Sequence, residues 1–145
     1  MLQDQGKYEA AEKMNRRALQ GREKALGVEH PDTLISVNDL ALVLQHQSKY
    51  EAAEKMNRRA LQGHEKALGV EHPHTLTSVN NLASVLQDQG KYEAAEKMNR
   101  RALQGREKAL GVEHPDTLTS VSNLASVLRG QGKYEAAKEI MQRLL

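Results

Sequence analysis

The sequence predicts an all-α fold, a helical-hairpin solenoid of about seven helices with two helices in each repeat. Three observations predict it. A 42-residue unit recurs along the chain: residues 2–43, 44–85 and 86–127 differ at eight positions and agree at 34 of 42, with a partial fourth copy from Leu128 to Leu145. Each unit carries two runs of apolar residues at helical spacing. Fixed glycines and prolines separate those runs. A unit of this size cannot bury its own apolar face, so its core forms by stacking on a neighbour.

The elements follow in chain order. Met1 stands where Val43, Val85 and Val127 stand in the later copies, so the first copy lacks most of its first helix. The array therefore begins with a second-type helix over about residues 7–26, and reads as an excised or truncated part of a longer one. The middle copy shows the full unit. Over residues 75–87, Leu76, Val79, Leu82, Ala83, Val85 and Leu86 form one helical face. Pro73 suits a first helical turn, where its missing N–H does little harm. Gly90 ends the run, and the second helix spans residues 92–110, with Tyr92, Ala95, Met98, Ala102, Leu103, Ala109 and Leu110 facing inward. Glu93–Lys97 and Glu96–Arg100 are i,i+4 pairs of the favoured polarity. Gly111 sits where a left-handed residue closes a helix. Gly21, Gly63 and Gly105 lie inside the second helices, marking either the close approach of another backbone or a local kink.

The ends differ from the repeat. In the last helix Lys138-Glu139-Ile140-Met141 replaces Glu96-Lys97-Met98-Asn99, and Leu144 replaces Ala102. Tyr8, Ala11 and Leu19 in the first helix lack a covering partner, and Ile140, Met141, Leu144 and Leu145 form an apolar terminus. Self-association through the terminal helices is expected from these two faces.

Composition removes several function classes. The 145 residues contain no Cys, which excludes disulfides and thiolate metal sites. The net charge of +2 is spread within helices, with no basic stripe of the kind nucleic acid requires. No stretch reaches membrane-spanning length and no signal-peptide core is present, so a cytoplasmic protein is expected. No nucleophile elbow, phosphate loop or buried carboxylate pair appears, so no enzyme, cofactor or metal is expected. His30, His72 and His114 recur before Pro, and repeats stacked about 10 Å apart hold them too far from one another to share an ion. Helix capping or loop packing accounts for them. His72-Pro73-His74 is denser, with no carboxylate beside it.

Leu82, Ala83, Leu86, Gly90, Tyr92, Ala95, Ala102 and Leu103 together resemble the tetratricopeptide repeat signature, and the resemblance covers the whole chain. Three features depart from it: Val79 replaces the early Trp, Asn99 replaces the late aromatic, and the repeat has 42 residues rather than 34. Long second helices followed by Leu110-Gly111-Val112-Glu113-His114-Pro115 resemble the kinesin light chain subtype. The near-identical copies resemble the C-terminal arrays of fungal and bacterial NOD-like (STAND) receptors. The resemblance implies a right-handed superhelix, its first helices lining a concave groove that binds a protein or peptide. It implies one domain over 1–145, with a partial repeat 1–27 and repeats 28–69, 70–111 and 112–145.

Five of the eight variable positions belong to the first helices. The stripe comprises Ile35, Asn38, Asp39, Leu42, Gln45 and His46, then Thr77, Asn80, Asn81, Ser84, Gln87 and Asp88, then Thr119, Ser122, Asn123, Ser126 and Arg129. Their spacing of i, i+3, i+4, i+7, i+10 and i+11 makes one helical face, distinct from the apolar face. By the resemblance these residues line the groove. Tolerant drift of exposed positions is the plainer reading, but Glu9, Lys13, Arg16 and Lys24 should be exposed too and are unchanged in every complete copy. The leading function is protein or peptide recognition, as in the sensor portion of a NOD-like receptor. The alternatives are a structural or self-association module and, third, a basic nucleic-acid-binding solenoid.

Overall fold

The structure, a computed structural model, describes residues 2–142, with side chains from Gly6 onward. Among these residues there are seven helices and no strand: α1 (Leu2–Leu26), α2 (Pro31–His46), α3 (Tyr50–Leu68), α4 (Pro73–Asp88), α5 (Tyr92–Leu110), α6 (Pro115–Gly130) and α7 (Tyr134–Met141). They divide into two compact units, Met1–Val70 and Glu71–Leu145. In unit 1, α2 packs against α1 and α3; in unit 2, α5 packs against α4 and α6, and α6 against α7.

The His-Pro pairs start every first-type helix. His30, His72 and His114 hold extended backbone, with φ of −63 to −65° and ψ of 141 to 143°. Each proline takes the first helical position, where its fixed φ is already helical and no N–H is needed. Each imidazole Nδ1 accepts from the N–H two residues on: Asp32 at 3.0 Å, His74 at 3.1 Å and Asp116 at 3.0 Å. The recurring histidines are therefore helix caps.

The first-type helices end in Schellman motifs. Gly90 N–H donates to the Gln87 carbonyl and Lys91 N–H to that of Leu86, at 2.9 and 2.8 Å, with Gly90 at φ 78°. The partial fourth copy repeats this at Gly132, φ 79°, and the second places Ser48 there, at φ 63°. In the first copy no such turn forms. The helix predicted from residue 7 begins at Leu2 and runs through Gly6.

The core of each unit is its first-type helices. Val37, Leu40 and Ala41 are fully buried in unit 1; Leu82, Val85 and Leu124 are in unit 2. Second-type helices contribute small residues, Ala53, Ala60, Ala95 and Ala102, all at 0% exposure. The predicted inward residues Ala109 and Leu110 are instead exposed, because the packed stretch of α5 ends near Glu107 and its last three residues run beyond their cover. Asn57 and Asn99 are buried within the second-type helices, where polar residues were not expected.

The glycine expectation is also corrected. No backbone meets Gly63 or Gly105; leucine side chains do. A Cβ on Gly63 would lie 2.7 Å from Leu34 Cδ2, and one on Gly105 2.8 Å from Leu76 Cδ1. Gly21 has nothing within 4 Å.

The expected bare ends are partly covered. Leu19 is buried, Tyr8 stacks on His46 with ring centroids 5.4 Å apart, and Gln47 Nε2 donates to the Tyr8 carbonyl at 2.9 Å. The uncovered face of α1 is instead Met14, 72% exposed, and Ala18, which corresponds to the buried Ala60 and Ala102. The reason is that α2 covers the Tyr8–Leu19 side, whereas Met14 and Ala18 face where a preceding first-type helix would lie. Ile140 and Met141 pack against the cluster of Leu103, Val121, Leu124, Ala125, Leu128 and Ala137, so they are no free apolar end. Leu144 and Leu145 lie outside the described residues.

Candidate functional site

None of the seventeen stripe residues is buried. In unit 1, Ile35, Asp39, Leu42 and His46 are exposed and Asn38 and Gln45 half-buried. In unit 2, Thr77, Ser84, Asp88, Thr119, Ser122 and Arg129 are exposed, while Asn80, Asn81, Gln87, Asn123 and Ser126 are half-buried. The helical register that predicted the stripe explains this: i, i+3, i+4 and i+7 share one face, and the core takes the other.

Unit 2 gathers seven of these residues around one cavity of about 330 Å³. Thr77, Asn80, Asn81, Ser84 and Gln87 enter from α4, and Thr119 and Asn123 from α6. Asn99 and Arg106 of α5 complete the lining. Asp88, Ser122 and Arg129 lie outside it. Ser126 closes one side by accepting from Gln87 Nε2 at 2.9 Å. Thr77 and Thr119 turn their hydroxyls onto the carbonyls of Pro73 and Pro115, at 3.1 and 3.0 Å.

Arg106 ties the three helices together. Its Nη1 donates to the Asp116 carbonyl at 3.1 Å and to Ser120 Oγ at 3.0 Å, both on α6. With its amide oxygen turned toward the guanidinium, Asn80 of α4 accepts from Nη1 at 2.6 Å and Nη2 at 3.0 Å. Burial pulls the guanidinium below its ordinary pKa, and the Asp116 carboxylate opposes that shift. Arg106 stays cationic, as guanidinium does in proteins, and is the only charged side chain lining the cavity. Unit 1 repeats half of this arrangement. Arg22 Nη1 reaches the Asp32 carbonyl at 2.9 Å and Ser36 Oγ at 3.0 Å. Asn38 differs from Asn80: by repeat register the second-type helix offers His64 in place of arginine, and Asn38 Oδ1 is buried with no donor.

Asn99 and Arg106 line the cavity, and the sequence reading did not include them in the stripe. The available signal was that Arg22, His64 and Arg106 occupy one of the eight variable positions, outside the first helices.

Several cations on or beside the second-type helices are engaged in ion pairs. Arg16 and Lys49 converge on Glu12 at 2.8 and 2.9 Å, and Arg100 and Lys133 on Glu96 at 2.7 and 3.1 Å. The Arg16 and Lys49 hydrogen bonds hold the Glu12 carboxyl down at about 2, from an ordinary 4.5. Arg100, and then Lys133, lower that of Glu96 against the effect of its burial. Among the described residues, no three His, Asp or Glu side chains gather as metal ligands would. No helix there is long and apolar enough to cross a membrane.

Repeated hairpins with a polar cavity between successive first-type helices define a helical-repeat scaffold. The tetratricopeptide repeat model matches residues 1–66, 34–108 and 74–145, and the chain belongs to that family. Members generally mediate protein–protein interaction and are typically non-catalytic. Among solved structures the chain is similar to a Podosopora anserina protein of nearly identical TPR-like repeats, assigned to the kinesin light chains. The TM-score is 0.83 at 27% identity, covering 97% of this chain and 67% of that one. A single-substitution variant of that array gives 0.84 at 25%, covering 95% and 65%. BtubC (BKLC) from P. vanneervenii gives 0.86 at 24%, covering 95% and 55%, a likeness of fold. The chain thus spans about two thirds of the Podosopora chains and about half of BtubC. Among curated proteins, none matches its sequence.

Proposed function

We propose that the chain binds extended peptide segments of a protein partner along the variable stripe of its first-type helices. The observation that carries this reading is the cavity of unit 2, lined by seven stripe residues from two successive first-type helices. Carboxamides such as Asn81 and Asn123 both donate and accept, so they can pair with a peptide backbone of any sequence. His46, Asp39, Asp88 and Arg129 add charge selectivity, and Ile35 with Leu42 an apolar patch. Drift alone is a poorer account, because Glu9, Lys13, Arg16 and Lys24 are exposed and still unchanged in every complete copy.

The proposal extends to the setting. The whole chain, partial repeat 1–27 with repeats 28–69, 70–111 and 112–145, acts as one recognition domain. The near identity of its copies fits the sensor portion of a cytoplasmic NOD-like receptor, with nucleotide-binding and signalling domains elsewhere in the parent protein. The second reading, self-association, draws on the exposed Met14 and Ala18 of α1.

Partner capture tests the proposal. Combined Asn80→Ala, Asn81→Ala and Ser84→Ala should abolish capture with unchanged helicity, and Lys97→Ala with Arg100→Ala should leave it intact. Loss of capture only with the basic-face changes would favour the electrostatic reading instead, and ligand-dependent change confined to α1 and α7 would favour self-association.

A further inference from the structure

At Ile35, Asp39 and Leu42 the exposed face of α2 differs from its counterparts in both α4 and α6, while Asn38 is shared with α4 as Asn80. Ile35 is 49% exposed and Leu42 55%, where Thr77 and Ser84 of α4 and Thr119 and Ser126 of α6 are polar. Between them lies Asp39, exposed and with no hydrogen-bond or ion-pair partner among the described residues; Asn81 and Asn123 stand at this position in unit 2. Beside it is the Asn38 amide, whose oxygen is buried without a donor. Turning that amide outward toward a donor sacrifices no hydrogen bond on its oxygen and removes an unpaired buried acceptor. The four residues fall at i, i+3, i+4 and i+7, so they form one continuous face about 10 Å long at 1.5 Å per residue.

We propose that this face binds a basic side chain, arginine or lysine, flanked by aliphatic side chains of an extended partner segment. The inference rests on the peptide-recognition reading and names the ligand chemistry for unit 1. Two acceptors side by side, one of them a full negative charge, select a cationic donor over a carboxylate. The aliphatic stem of that cation lies along Ile35 and Leu42 while its head reaches Asp39. In an extended segment, side chains two residues apart share one side, so aliphatics two residues before and after the cation span about 13 Å. That is of the same order as the rise of about 10 Å from Ile35 to Leu42 along α2.

The test uses the whole chain and two short synthetic peptides, leucine-serine-arginine-serine-leucine and its counterpart with glutamate for arginine. Amide chemical shifts are followed during titration. The arginine peptide should shift resonances within α2 and bind at least about tenfold more tightly than the glutamate peptide. Asp39→Asn, a change to the residue that unit 2 carries at this position, should erase the preference without disturbing the fold. Equal affinity for the two peptides, a preference that survives Asp39→Asn, or no shift within α2 each overturns the inference. The peptide-recognition reading is judged separately, by the capture experiment on Asn80, Asn81 and Ser84.

Discussion

Leu34 occupies the notch over Gly63, so close that a Cβ on the glycine would sit 2.7 Å from Leu34 Cδ2. Leu76 stands over Gly105 in the same way, while the space over Gly21 is open. The three glycines occupy identical helical positions and so share one propensity penalty of about 1 kcal/mol against alanine. Gly21→Ala should therefore raise stability by up to that amount. Gly63→Ala and Gly105→Ala force a buried leucine out of place, at about 1–3 kcal/mol, which outweighs the gain in propensity. Urea midpoints of the three variants check this. Equal shifts at all three positions would mean that the leucines yield freely.

Ser48 holds a left-handed backbone, φ 63°, at the position where Gly90 and Gly132 lie at 78 and 79°. A side chain in that region is destabilising by about 1–2 kcal/mol, offset by the roughly 0.5–1 kcal/mol of extra chain entropy that glycine loses on folding. Ser48→Gly should thus stabilise the protein by about 0.5–1 kcal/mol, read as a higher urea midpoint with an unchanged slope. The hydroxyl has little to lose, since Tyr50 Oη donates to Ser48 Oγ only across 3.4 Å. A lower midpoint would show that the serine contributes something that this geometry does not.

Glu12 and Glu96 should make the array sensitive to acid. Arg16, Lys49, Arg100 and Lys133 lower both carboxyl pKa values, to about 2 for Glu12 against an ordinary 4.5. A depressed folded-state pKa means that the unfolded chain binds the proton more tightly, so this stabilisation is full above about pH 4.5 and is lost as pH falls toward 2. The Glu12→Gln, Glu96→Gln double variant should be less stable than the parent at pH 7. It should also lose less stability between pH 4.5 and 3. Denaturant midpoints at pH 7, 4.5 and 3 measure both effects, and parallel pH profiles for parent and variant would contradict the assignment.

What the sequence made legible follows from its punctuation. Tyr92 to Leu110 was readable to the residue because Gly90 and Gly111 bracket it, and Pro73 marked the start of α4. The stripe was readable because helical register separates Asn81 and Ser84 from Leu82 and Val85. Gly6 misled because a glycine permits a left-handed turn without requiring one: Gly90 adopts it, whereas Gly6 lies within α1. Arg106 and Asn99 escaped because a polar residue on a second-type helix looks like a solvated face until α4 and α6 are set beside it. The exposure of Met14 and the cover over Leu19 likewise depend on which side of α1 the next helix takes, and spacing alone does not give that.

The account stands most directly on where a partner touches the first-type helices. Amide shift mapping of the chain with a captured partner peptide makes that measurement. Peptide recognition predicts that the largest changes fall at Asn81, Ser84 and Asn123, which line the cavity of unit 2. Changes confined to the exposed basic face around Lys97 and Arg100, with Asn81, Ser84 and Asn123 unmoved, would contradict it.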